Sequence, residues 1–129
     1  MTYKTALEKL AGRDSRKVAH NTVLHGALGA AESIALRLHS TDILTFHRDG
    51  SVTATSGGWK TSTTKDRLNS FLPHGWRVYQ DKGVWYWSRR ILDTSDPEGG
   101  CKPAPGYGTP FTDGDRIGPR GALLAQATQ

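Results

Sequence analysis

Between Ser33 and Thr55 the chain repeats every two residues, and that period constrains the fold more than any other feature. Ile34, Leu36 and Leu38 alternate with Ala35, Arg37 and His39, the pattern of a strand with one buried face. Ile43 to His47 and Ser51 to Thr55 continue it as two further strands around Arg48-Asp49-Gly50. Turn length then decides the register. A three-residue turn with Gly50 left-handed opposes Phe46 to Val52 and Leu44 to Ala54, leaving Thr45 with Thr53 and His47 with Ser51 on the other face. A two-residue Asp-Gly turn opposes Phe46 to Thr53 and Leu44 to Thr55, mixing apolar with polar. The three-residue turn is expected, because it keeps one face apolar.

Elements on either side follow from period and punctuation. Ala6, Leu7 and Leu10 have helical spacing before Gly12, and the Gly/Ala-rich stretch from Gly26 to Ala31 reads as a loop or weak turn. Thr63 and Asp66 match the Ser/Thr-x-x-acid capping pattern, Leu68, Phe71 and Leu72 form an i, i+3, i+4 stripe, and Pro73-His74-Gly75 ends that helix. A second hairpin runs from Trp76 to Gln80, turns at Asp81-Lys82-Gly83 and returns from Val84 to Arg89. From Asp96-Pro97 to Gly118-Pro119 the chain is punctuated by Gly and Pro. The expected fold is α+β: a small antiparallel sheet of two hairpins plus an extra strand, in the order α-βββ-α-ββ, with a Gly/Pro-rich C-terminal loop region. One domain is expected over 1–129, with an N-terminal helix and loop over 1–32, the α+β core over 33–91 and the tail over 92–129; 129 residues suit a single domain.

Composition excludes several classes. No apolar run approaches the ~18 residues of a membrane span. Met1 to Leu10 interleaves Lys and Glu with apolar residues, unlike a secretory leader. A single cysteine, Cys101, can make neither an intrachain disulfide nor a thiolate cluster. These features lead us to expect a soluble intracellular protein. Lysine and arginine number 17 against 12 acidic residues, a net +5 that can steer a polyanion or simply aid solubility.

The segment Gly57-Gly58-Trp59-Lys60-Thr61-Ser62-Thr63-Thr64-Lys65-Asp66-Arg67 carries the most suggestive chemistry. Paired glycines admit close backbone approach, hydroxyls offer neutral donors, and a helix starting near Thr64 presents free amides to an anion. Gly57, Gly58, Lys60, Thr61, Thr63, Thr64, Lys65 and Arg67 are the expected ligand-binding residues. The pattern is not a P-loop, and the same residues have a structural reading as bulge, cap and strand formers. On the second hairpin, Arg77, Tyr79, Trp85, Trp87 and Arg89 are assigned to one face, and Trp76, Val78, Val84 and Tyr86 to the other. Trp85 and Trp87, with Arg77 and Tyr79, would stack on nucleobases.

Five histidines are scattered without His-x-x-x-His spacing; His39 and His47 could share the polar sheet face, but no metal site and no cofactor is expected. His39, Asp42 and Arg67 are the weaker candidates for acid/base and electrostatic roles in a metal-free ribonuclease. Neither a Gly-x-Ser-x-Gly elbow nor a base beside Cys101 supports a nucleophilic hydrolase.

Arg37-Leu38-His39-Ser40-Thr41-Asp42, followed by Gly57-Gly58-Trp59-Lys60-Thr61 and Thr63-Thr64-Lys65-Asp66-Arg67-Leu68-Asn69, resembles a group of short uncharacterised proteins encoded by tailed bacteriophages. The likeness begins near Asn21-Thr22, runs through Gly83-Val84-Trp85-Tyr86, and takes Phe111-Thr112-Asp113-Gly114 as a final element. It implies a phage setting, in the virion or the host cytoplasm, and carries no activity with it.

The function expected is therefore a small phage-type binding protein for a phosphate-bearing ligand, nucleic acid or nucleotide. A structural or interaction protein, as a minor virion component or an inhibitor of a host protein, is the alternative, and the ribonuclease is the second. Under these readings the partners are nucleic acid or a nucleotide, or else a host or virion protein, with no membrane and with a homo-oligomer compatible with each.

Overall fold

The computed structural model describes residues 1–26, 33–92, 100–103, 107–118 and 123–124. Its elements run α1 (Tyr3–Leu10), β1 (Ser15–Ala19), β2 (Thr22–Gly26), β3 (Ser33–Leu38), β4 (Thr41–His47), β5 (Val52–Ala54), α2 (Ser62–Phe71), β6 (Trp76–Asp81), β7 (Val84–Leu92), β8 (Cys101–Pro103), β9 (Asp115–Ile117) and β10 (Leu123–Leu124). Seven strands form one sheet in the order β1-β2-β3-β4-β5-β9-β10, and three form another in the order β6-β7-β8. Every pairing is antiparallel.

The β4–β5 hairpin has the expected register: Phe46 faces Val52, Thr45 faces Thr53 and Leu44 faces Ala54. Gly50 is left-handed at φ +95°, and its N–H donates to the His47 carbonyl at 2.9 Å. The Asp49 carboxylate completes the turn by accepting from the Ser51 N–H and hydroxyl at 2.8 and 2.6 Å.

The architecture is α+β, but the strand order is richer than α-βββ-α-ββ. Residues 1–32 hold two strands that periodicity did not reveal. β1 lies at the sheet edge with Ser15, Arg16 and Lys17 exposed, so it has no apolar alternation to read. The C-terminal region supplies β8, β9 and β10 instead of loop alone. These strands have three residues or fewer, too short to establish a period. β9 inserts against β5, with Val52 facing Ile117 and Ala54 facing Asp115.

α2 also starts two residues earlier than expected. Its cap is Thr61, whose Oγ1 accepts from the Thr64 N–H at 3.2 Å. Thr64 and Leu68 are both buried, and this i, i+4 pair sets the phase of the helix more strongly than the Thr63/Asp66 match. In α1, Ala6 and Leu10 are buried while Leu7 points outward.

The second hairpin corrects the face assignment. Lys82 and Gly83, both at positive φ, make a two-residue turn that opposes Asp81 to Val84. Even-numbered residues of β6 therefore face odd-numbered residues of β7 and the reverse: Val78 pairs with Trp87, Gln80 with Trp85, and Tyr79 with Tyr86. Trp76, Val78, Trp85 and Trp87 share the inner face. Arg77, Tyr79 and Tyr86 share the outer one. A single hydrophobic cluster joins these inner residues to Leu36, Leu44 and Phe46 of the large sheet, Leu68 and Leu72 of α2, and Ala6 and Leu10 of α1.

Candidate ligand cleft

The chain leaves β5 through a bend built from its own hydroxyls. The Ser56 N–H and Oγ–H both donate to the Asp113 carboxylate, at 2.8 and 2.7 Å. The Gly57 N–H donates to Thr55 Oγ1 at 3.1 Å and the Gly58 N–H to Ser56 Oγ at 3.2 Å. Both glycines have positive φ, and a Cβ on Gly57 would overlap the Thr41 methyl. The paired glycines thus form a tight bend against β4, and their amides already have acceptors. They do not form the oxyanion cradle expected of them. Burial alone would raise the Asp113 carboxyl, but the Ser56 hydrogen bonds and the nearby Lys60 charge outweigh it and hold the pKa below the usual carboxylate value.

The bend projects Trp59, whose ring is 66% exposed. Beside it lies a cleft of about 270 Å³ reaching Leu38, His39, Thr41, Ser56 and Thr64. A second cleft of about 280 Å³ shares Leu38, His39, Trp59 and Thr64 with the first and reaches Thr61 and Thr63. His39 enters from the β3–β4 turn at φ +56°, held by its N–H donating to the Asn21 carbonyl at 2.8 Å. The first turn of α2 is only partly satisfied. Thr61 Oγ1 takes the Thr64 amide, while the amides of Ser62 and Thr63 have no acceptor among the described residues. Open amides and the positive end of the helix favour an anion there.

Other expected site residues are committed elsewhere. Lys65 Nζ donates to Gln80 Oε1 at 3.1 Å. Arg67 turns to the β1–β2 hairpin, donating to Thr22 Oγ1 at 3.0 Å and the His20 carbonyl at 3.4 Å, and it pairs with Asp66 at 3.1 Å. Asp42 is held by His25 at 2.8 Å and Arg37 at 3.0 Å. Burial raises its carboxyl pKa, yet those two partners bring the net value below the usual one. No hydrogen bond joins His39, Asp42 and Arg67. His47 bonds Thr53 Oγ1 at 2.8 Å on the outer face of the large sheet. Among the described residues no group of three His, Cys, Asp or Glu side chains is placed to hold a metal.

Trp85 and Trp87 are 2% and 0% exposed, so the stacking surface expected of them faces the interior. Trp87 packs edge-on against Trp76 at 5.4 Å, and its Nε1–H donates to Asp115 at 2.9 Å. Arg77 and Tyr79 do lie on the outer face. Sequence reasoning overlooked Trp59 and its support from Ser56 and Asp113. One available signal was an aromatic residue in a polar stretch with no apolar stripe to join.

An α+β protein of two antiparallel sheets, with a ligand-sized cleft at the start of α2, is the class that fold and site define. Residues 2–117 match the family model described as Kyanoviridae Gp96 protein, and the chain belongs to that family of phage proteins. No curated protein and no solved structure matches it. Among the described residues no helix is long and apolar enough to cross a membrane.

Proposed function

We propose that this phage protein binds a phosphate-bearing ring compound, a free nucleotide, in the cleft beside Trp59. The observation that carries the reading is the exposed Trp59 ring, set next to the open amides of α2 and the hydroxyls of Thr61 and Thr63. A ring stacking on Trp59 would leave its phosphate near the helix start, where amides and dipole favour negative charge. The cleft that reaches Thr61 and Thr63, about 280 Å³, lies just below the usual ~300–1,000 Å³ of ligand pockets and suits one base-sized group. The contacts differ from those expected from sequence: Thr61, Thr63 and Lys60 stay with the site, while Arg67 and the Gly57 and Gly58 amides serve the fold.

Tryptophan fluorescence tests this directly, because Trp76, Trp85 and Trp87 are buried and Trp59 is not. Titration with linear and cyclic mono- and dinucleotides should quench the emission, with nucleotides binding several-fold tighter than their nucleosides. Trp59→Ala should abolish the signal and the binding measured by calorimetry. Equal calorimetric affinity in Trp59→Ala, or no binding of any nucleotide at millimolar concentration, would remove the proposal.

A further inference from the structure

The outer face of the β6–β7 hairpin carries a second set of aromatic rings, separate from the Trp59 cleft. Tyr79 is the middle ring of a stack, with centroids 5.6 Å from Tyr86 at 26° and 5.8 Å from Tyr107 at 28°. Tyr107, at one end, is 42% exposed, and the Arg90 guanidinium lies 5.6 Å from its centroid.

Arg90 also lines an open groove of about 500 Å³ that continues along the hairpin past His74, Arg77 and Ser88. Strand register makes the two features one surface. Tyr79 pairs with Tyr86 and Arg77 with Ser88, so successive outward-facing pairs along the hairpin pass from rings to cations. Among the described residues the groove is lined by two arginines and a histidine, all exposed, and by no carboxylate. Asp81, also on this face, sits at the opposite end beside the turn.

From this juxtaposition of a tyrosine stack with an arginine-lined groove, we infer that the outer face of the hairpin binds single-stranded nucleic acid. Tyrosine rings and guanidinium planes accept unpaired bases without regard to sequence, and the arginines neutralise the backbone. A duplex, whose bases are already stacked inside, gains nothing from the rings. Charge complementarity selects this occupant over an apolar peptide or a second copy of the chain. The inference stands independently of nucleotide binding beside Trp59.

Fluorescence anisotropy with labelled ten-residue oligo(dT) and oligo(U), against a duplex of the same length, provides the test. Both single strands should bind, and the duplex more weakly. Affinity should fall as salt rises, by about 0.7 log units per log unit of salt for each phosphate contacted. Tyr107→Ala should weaken binding about tenfold. Arg77→Ala with Arg90→Ala should lower the salt slope by about 1.4. Trp59→Ala should leave strand binding intact while removing free-nucleotide binding, which separates the two sites. These side chains are exposed, and an unchanged circular dichroism spectrum confirms folding of each variant. A duplex bound as tightly as the single strands, no binding at 50 mM salt, or unchanged affinity in the variants would overturn the inference. Capture of a protein partner by this face, without oligonucleotide binding, would overturn it equally.

Discussion

One hairpin carries aromatic rings on both faces, and the two sets are held in opposite ways. Inward, Trp76 and Trp87 meet edge-on at 87°, Trp87 touches Phe111 at 5.1 Å, and Asp115 accepts the Trp87 indole N–H. Outward, three tyrosines lie nearly parallel with exposed area at Tyr107, and among the described residues no layer closes over Arg77 or Arg90. The inner rings have their surface covered, and the Trp87 indole N–H has its acceptor. The outer rings meet each other, the Arg90 guanidinium and solvent. Composition assigns all of them to one aromatic hairpin, but register separates those that hold the fold from those free to meet something else.

The largest effect that would sharpen this contrast is expected at Trp87. Trp87→Ala opens a cavity at the centre of the cluster and leaves the buried Asp115 without its indole partner. Large-to-small changes of this kind cost about 3–5 kcal/mol, a large part of the stability of a domain this size. Urea unfolding should show the loss as a lower midpoint. A cost under about 1 kcal/mol would mean that the inner face does not carry the fold, and the contrast would fail.

The legible part of the molecule was the part where long strands bury one face. The β4–β5 register could be read to the residue because Leu44, Phe46, Val52 and Ala54 had to share a side. β1 was hidden because its exposed Ser15, Arg16 and Lys17 obey no apolar period, and β9 because three residues cannot display one. The hairpin at 76–92 was visible, but not its faces. Asp81-Lys82-Gly83 reads as a three-residue turn, but Lys82 and Gly83 alone separate the strands, and that one-residue difference exchanges the faces of β7. The site was legible only in outline. α2 does open toward the cleft, but Asp113, 57 residues away, holds the bend through Ser56, and no local pattern predicts such a contact. Arg67 reads as a ligand cation until β2 is known, since Thr22 takes its guanidinium.

Asp113 gives the next effect in size. It lies two residues from Asp115 but serves the cleft, while Asp115 serves the inner face. Asp113→Ala leaves the buried Ser56 N–H and hydroxyl without their acceptor, a loss of about 1–2 kcal/mol, or a few degrees in melting temperature. Because its folded-state pKa is depressed, Asp113 contributes stability fully above the unfolded carboxylate value of about 3.9, and the contribution disappears as pH falls through the lower folded value. Melting curves of wild type and variant should therefore differ at pH 7 and converge as pH falls below the unfolded carboxylate value of about 3.9. The same gap at neutral and at acid pH would show that the Asp113 charge is not what holds the bend.

The smallest effect is expected on the outer face, and it is the most direct way to break the comparison. Tyr107 has one stacking neighbour, Tyr79, and a cation near its ring. With much of its ring in water, truncation removes one aromatic pair worth about 0.5–1.5 kcal/mol beyond a modest area term. Tyr107→Ala should shift the urea midpoint by at most about a third of the Trp87→Ala shift, with the slope unchanged. A loss comparable to that at Trp87 would make the tyrosine stack a second structural core, and its exposure would then not indicate an available binding surface. A small loss of stability together with weakened oligonucleotide binding would instead show the two faces of one hairpin divided between folding and recognition.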